Sequence, residues 1–199
     1  MLKLLIASSN QGKIKEIKQR FAKYELEILG LGDLSQVEEV IEDGETFKAN
    51  ALKKARVRAQ RTCLNTLADD SGLVVDYLDG SPGVYSARFA GPKATDQENN
   101  QKLLSKLKGV PKEKRTAHFK CVAALVLPEE NVEITVSGSC SGIITEKPRG
   151  KNGFGYDPLF YVPEYDKTMA ELPLRIKNKI SHRAEALDKI ETKIKKLLI

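Results

Sequence analysis

No apolar run in the chain approaches the roughly 18–20 residues that a membrane-spanning helix requires, so no membrane association is expected. The opening M-L-K-L-L-I-A is too short for a secretory signal and lacks a cleavage site, so a cytoplasmic protein is expected. Cysteine is scarce: Cys63, Cys121 and Cys140 are odd in number and form no C-x-x-C pair. That argues against a disulfide framework or a zinc site and for reduced, mostly buried thiols. Helix-turn-helix, zinc-finger and aromatic RNA-binding signatures are missing, so no nucleic-acid partner is expected. The G-x-x-x-x-G-K-[ST] spacing of a P-loop is missing too. There is no internal repeat, linker or low-complexity segment.

What is present suits an ordered globular chain. With 199 residues, 41% hydrophobic and 30% charged, it can bury one core as a single domain over 1–199, with length enough for two lobes. The net charge of +6 admits anionic partners without identifying one. Much of the excess falls on the first and last helices, where it reads as a solvated face.

Residues 2–7 form an apolar run suited to a buried strand, and Ile14, Ile17 and Phe21 then recur at helical spacing over about 13–23. A second helix is expected from about Thr46 to Arg61, with Phe47, Ala51 and Ala55 inward. T-L-A-D at 66–69 and L-V-V-D-Y-L at 73–78 read as strands flanking a D-D-S-G turn. Thr95 and Glu98 make a capping box for a helix carrying Leu103, Leu104 and Leu107. Two long extended runs, 115–127 and 132–144, are joined by P-E-E-N, and alternation at Val132, Ile134 and Val136 argues for an antiparallel hairpin. A last helix opens at Ser181 and buries Ala184, Leu187, Ile190 and Ile194. The pattern predicts an α/β fold with a mixed sheet flanked by helices, the hairpin extending a second lobe beside a ligand cleft.

Four polar runs carry the chemistry. S-S-N-Q-G-K at 8–13 lies between a strand and a helix, where Gly12 permits a tight turn and Lys13 can meet an anion. A plain strand-to-helix turn would look much the same. A-D-D-S-G at 68–72 places Asp69 and Asp70 side by side. On a regular strand they point to opposite faces, while in a turn they could converge on a hard cation. D-D-S-G is equally an ordinary turn sequence. Glu42 and Asp43, before Gly44, add acids near a helix start. In G-F-G-Y-D-P at 153–158, two glycines allow close backbone approach, Phe154 and Tyr156 offer stacking faces, and Asp157 can accept a ring N–H. A buried aromatic loop is the alternative. In S-H-R at 181–183, Ser181 is first a helix cap, while His182 and Arg183 occupy a first turn that disfavours cations unless an acceptor is near.

Taken in order, these runs closely resemble the inosine triphosphate pyrophosphatase family along essentially the whole chain. The resemblance rests on E-D-G-E-T-F-K-A-N-A-L-K-K-A at 42–55, A-D-D-S-G-L at 68–73, G-V-Y-S-A-R-F-A-G at 83–91, G-F-G-Y-D-P-L-F at 153–160 and K-N-K-I-S-H-R at 177–183. It implies an elongated two-lobed α/β fold with a central cleft, a Mg²⁺ requirement and a homodimer. It also implies cleavage of ITP, dITP or XTP between the α- and β-phosphates to monophosphate and pyrophosphate. Carried over residue by residue, Ser8, Ser9, Asn10, Gln11, Gly12 and Lys13 would hold the triphosphate. Glu42 and Asp70 would serve the metal, with Asp70 also the proton acceptor and Asp69 in support. Lys54 and Ser71 would meet phosphate or sugar, Phe154, Gly155, Tyr156 and Asp157 the base, and Lys177, His182 and Arg183 phosphate and base. Ser9 departs from the glycine common in the family, so a positive φ there would be strained. Two rivals remain. One is a basic nucleotide- or RNA-binding protein without turnover, the other a related pyrophosphatase for pyrimidine or modified nucleotides.

Overall fold

The N-terminal apolar run becomes β1 (Leu2–Ile6), whose Leu4, Leu5 and Ile6 are buried because the strand is flanked on both sides in the sheet. The structure, a computed structural model, describes residues 2–34, 38 and 40–197. After β1 the chain forms α1 (Gln11–Phe21) and β2 (Leu26–Gly30), then α2 (Phe47–Thr62) and β3 (Asn65–Val75). α3 (Asp96–Lys106), β4 (Thr116–Leu127) and β5 (Val132–Ile144) follow, then β6 (Phe160–Val162), β7 (Lys167–Thr168), α4 (Leu174–Ile180) and α5 (His182–Leu197).

The seven strands form one mixed sheet in the order β2-β1-β3-β4-β5-β6-β7. β1 runs parallel to β2, Leu2 opposite Leu26, and to β3, Leu4 opposite Asn65. β6 is antiparallel to both β5 and β7. β4 and β5 are neighbours joined only by residues 128–131, a connection too short for a parallel crossover, so they form the expected hairpin. The α/β class with a mixed sheet is borne out.

The chain divides into two compact units, and the boundaries cut β3, β4, β5 and α5. The first holds residues 1–70, 121–138 and 185–199, with Leu4, Ile6, Leu67 and Leu125 packed against Ile17 and Phe21 of α1 and Leu187, Ile190 and Ile194 of α5. In the same unit Phe47, Ala51 and Ala55 on α2 are buried, as the expected inner face requires, and Ala59 extends that face. The second unit holds residues 71–120 and 139–184 around Leu73, Leu103, Leu107, Phe119 and Phe160, the last two with ring centroids 4.4 Å apart.

Local reading failed in one instructive place. D-D-S-G is not a turn: β3 runs unbroken through it from Asn65 to Val75. Asp and Ser favour turns because their side chains can bond the nearby backbone. Here β3 has a neighbouring strand on each side, and Asp69 and Asp70 find partners on helices instead. Gly12, expected to relax a turn, lies inside α1 and has no positive φ. Strands β2, β6 and β7 and helix α4 were not read from the sequence.

Candidate active site

Two polar clusters hold the residues singled out above, one in each unit. In the first unit β1 ends at Ile6 and the chain turns into α1 through Ser8, Ser9 and Asn10. Asn10 is the N-cap: its Oδ1 accepts the Lys13 N–H at 3.1 Å, and Ser8 Oγ accepts the Asn10 N–H at 3.2 Å. Ser9 does not adopt a positive φ, so serine replaces glycine there without strain. Lys13 sits in the first turn with its ammonium 3.0 Å from Asp69 Oδ2. That carboxylate is almost wholly buried and also accepts from the Cys121 thiol. An ammonium has three donors, so Lys13 bound to Asp69 retains capacity for phosphate oxygens.

Asp70, the next residue on the strand, faces different partners. Asn50 Nδ2 donates to its Oδ2 at 3.1 Å, and Lys54 Nζ lies 3.9 Å from its Oδ1. Lys54 also donates to Glu42 Oε2 at 2.9 Å, so Glu42 and Asp70 converge on one cation. Burial, first of all, raises the Asp70 pKa, and the Glu42 charge raises it further. Lys54, Lys13 and the Asn50 hydrogen bond pull it back. Among the described residues no cluster of three or more His, Cys, Asp or Glu gathers in a metal-binding arrangement. Two carboxylates turned toward one positive group nevertheless suit Mg²⁺, which takes few protein oxygens and completes its shell with water and substrate phosphate.

Asn50 is the residue that sequence reasoning missed. It is 1% exposed, its Oδ1 accepts the Gly44 N–H at 2.8 Å, and its Nδ2 donates both to the Gly44 carbonyl at 3.3 Å and to Asp70. One amide thereby ties the Glu42–Gly44 segment to Asp70. Only glycine fits position 44, because a Cβ would lie 2.7 Å from Asn50 Oδ1 and 2.9 Å from the Ala49 Cβ. The available signal was an amide at 50, flanked by the apolar positions 47 and 51 on the buried face of α2.

In the second unit, Phe154 carries two cations over its ring, Lys177 Nζ at 5.5 Å and Arg183 Cζ at 5.8 Å from the centroid. Lys177, on α4, pairs with Asp157 Oδ2 at 2.8 Å, and the same oxygen accepts the Phe154 N–H at 3.0 Å. Gly153 has φ +81° and its Cβ position is filled by the Asp157 carboxylate, so no other residue can stand there. Arg183 is 2% exposed and donates from Nη2 to Ser71 Oγ at 3.0 Å. Ser181 caps α5, accepting the Ala184 N–H at 3.1 Å.

Two residues expected at the base behave differently. Tyr156 offers no open face: it is 4% exposed, part of the second core, and its hydroxyl donates to the Ser86 carbonyl at 2.8 Å. Burial pushes its pKa upward. Large aromatic area in a Pro/Gly-punctuated loop was better spent in the core than on the surface. His182 stacks on Phe119, centroids 4.8 Å apart and planes 17° apart, as a core histidine would.

The fold and these clusters define an α/β protein with a seven-stranded mixed sheet and two sets of buried charged groups, and comparison with known proteins supplies the family. Residues 4–193 match the Ham1 family, and the chain belongs to it. It is 54% identical to the dITP/XTP pyrophosphatase of Geobacter sulfurreducens, over 94% of each chain. It is 50% identical to that of Desulforamulus reducens, over 100% of this chain and 98% of the relative. Among solved structures, a HAM1 protein from Coxiella burnetii superposes with a TM-score of 0.90 at 43% identity, over 98% of this chain and 100% of that one. The Staphylococcus aureus Ham1 protein gives 0.87 at 41%, over 97% and 98%. The resemblance read from the five motifs is borne out.

Proposed function

We propose that the protein hydrolyses non-standard purine nucleoside triphosphates, ITP, dITP and XTP, to the monophosphate and pyrophosphate. The name dITP/XTP pyrophosphatase borne by relatives about half identical over their full length supports the substrate class. The observation that carries the chemistry is Asp70: a buried carboxylate with a raised pKa, oriented by Asn50 and facing Lys54 and Glu42. A carboxylate whose pKa is raised by burial accepts a proton from an attacking water more effectively than an ordinary aspartate.

Lys13 and the N-terminus of α1, with Ser8 to Gly12, receive the triphosphate, and Asp69 holds Lys13 in position. Lys54 places a second ammonium beside Asp70 to meet charge growing on the departing pyrophosphate. Glu42 and Asp70 would hold Mg²⁺, which when bound would supply neutralisation of phosphate charge. Phe154 supplies the face for the purine. Arg183 is donor-only, so it matches the O6 acceptor of hypoxanthine and xanthine and opposes the 6-amino group of adenine. Ser71, Asp157 and Lys177 complete that set, with His182 and Tyr156 supporting it from the core.

This reading carries with it a cytoplasmic enzyme that acts as a homodimer without membrane or nucleic-acid partners. No helix among the described residues is long and apolar enough to cross a membrane. The homodimer is tested by sedimentation equilibrium, which should return twice the 22.1 kDa chain mass. Activity is tested by a panel of ITP, dITP, XTP, GTP, ATP, CTP and UTP with separate detection of pyrophosphate and orthophosphate, with and without Mg²⁺. Mg²⁺-dependent pyrophosphate release from ITP and XTP is expected. Orthophosphate as the first product, or preference for pyrimidines, would overturn the reading.

A further inference from the structure

The first half of α3 carries two polar side chains whose partners lie on the loop assigned to the base. Asp96 and Asn100 are four residues apart and so share one face of the helix. Asp96 Oδ2 accepts the Gly155 N–H at 2.6 Å, and Asn100 Nδ2 donates to the Gly155 carbonyl at 2.9 Å. The peptides on both sides of Gly155 are therefore pinned to α3. Two further bonds shape the loop from within: Phe154 N–H to Asp157 Oδ2, and Asp157 N–H to the Phe154 carbonyl at 3.3 Å. The internal bonds give the loop its form; those from α3 decide where it stands.

The Asn100 amide can face only one way, since a flip would turn its oxygen against the Gly155 carbonyl. Its Oδ1 is left buried without a hydrogen-bond partner. A buried acceptor left unmade is a stability cost, so the residue is not explained by stability alone. Asn99, next along the helix and 3% exposed, accepts from Ala90 N–H at 2.7 Å and donates to the Ala87 carbonyl at 3.1 Å. α3 thus holds both the 83–91 segment and the 153–157 loop.

We propose that Asp96 and Asn100 are positioning residues for base selection. By fixing the peptides around Gly155 they set where the Phe154 ring and the Asp157 carboxylate stand relative to Lys177 and Arg183, and hence how well a 6-oxo purine is told from adenine. This rests on the reading of 153–157 as the base loop. A preorganised loop binds the matching base without an ordering cost, and small displacements of a positioned group weaken recognition steeply.

The test uses the full-length enzyme with four variants. Asn100→Asp is isosteric but removes the donor and sets a carboxylate against the Gly155 carbonyl. Asp96→Ala removes the acceptor at an exposed position where folding is not at stake. Asp96→Asn keeps an acceptor and should stay near wild type. Phe154→Ala controls for the base reading itself. Asn100→Asp and Asp96→Ala should raise KM for ITP and lower the ITP-to-ATP ratio of kcat/KM by about tenfold, the size of one net hydrogen bond. Inhibition by inorganic tripolyphosphate should be unchanged. If the ratio moves only in Phe154→Ala, the inference is wrong and the base reading stands. If it moves in none, the base reading falls and takes the inference with it. If ITP and tripolyphosphate binding weaken together with melting temperature, α3 has only a structural role and the inference is overturned.

Discussion

Asp70 is a buried acid whose ionisation carries a desolvation cost. Its carboxyl is raised above the ordinary value of 3.8 chiefly by burial. A raised acid binds its proton more tightly folded than unfolded, so its stabilising effect is full at low pH and is lost as pH rises through the folded value. Asp70→Asn is neutral throughout. It should therefore melt no lower than wild type at neutral pH while losing about 10²–10⁴-fold in kcat, the usual loss for a general base. Thermal scans at two pH values and single-turnover assays with ITP check both halves. A folded variant with normal turnover would remove Asp70 from the mechanism. Asn50 carries the opposite signature, since Asn50→Ala strands the Gly44 N–H and carbonyl and takes one donor from Asp70. Each buried group left unmade costs about 1–3 kcal/mol. Melting temperature and kcat should fall together, measured by calorimetry and steady-state kinetics.

At the scale of elements, α1 and α5 are joined in the first unit by a carboxylate that gathers four partners. Glu191 is 4% exposed and is bound by Arg20 at 2.7 Å, Lys23 at 2.9 Å, Lys195 at 3.4 Å and the Tyr24 hydroxyl. Burial alone would raise this acid; the Tyr24 hydroxyl, Lys23, Arg20 and Lys195 outweigh it and hold it at about 2. A lowered carboxyl stabilises fully above its unfolded value and loses that contribution as pH falls through the folded one. The window here runs from 4.5 down to about 2. Glu191→Gln should lower stability at neutral pH by on the order of 1–3 kcal/mol, about 2–4 °C per kcal/mol for a chain of this size. The difference from wild type should shrink in acid, as pH-dependent melting curves will show. A constant difference across that window would mean that Glu191 acts through packing alone.

For the whole molecule, ligand binding reports the two clusters separately. A ligand that binds only the folded state raises stability by about 2.7 kcal/mol at one hundred times its dissociation constant. With Ca²⁺ replacing Mg²⁺ to slow turnover, ITP should raise the melting temperature more than ATP does. If Lys13 meets phosphate as proposed, Lys13→Ala should reduce the shift from both nucleotides and should weaken ITP binding more than IMP binding in calorimetry. Arg183→Ala should leave a smaller, nearly equal shift for ITP and ATP. An undiminished preference for ITP in that variant would take O6 recognition away from Arg183.

Much of this was legible in residue order. Helical spacing at Ile14, Ile17 and Phe21, the Thr95 cap, and the hairpin of the 115–127 and 132–144 runs are local properties, set by period and by side chains that bond their own backbone. The family was legible for a related reason, since five short motifs in a defined order are a property of sequence. Tertiary structure decided what local rules cannot weigh. Asp69 and Asp70 were given a turn by their own preferences and a strand by their neighbours, because Lys13, Asn50 and Lys54 satisfied the carboxylates from helices distant in sequence. Tyr156 went to the core and Asn50 and Asn100 to the site loops for the same reason: a buried polar or aromatic group takes its role from what the fold packs against it, and that partner is not written beside it in the chain.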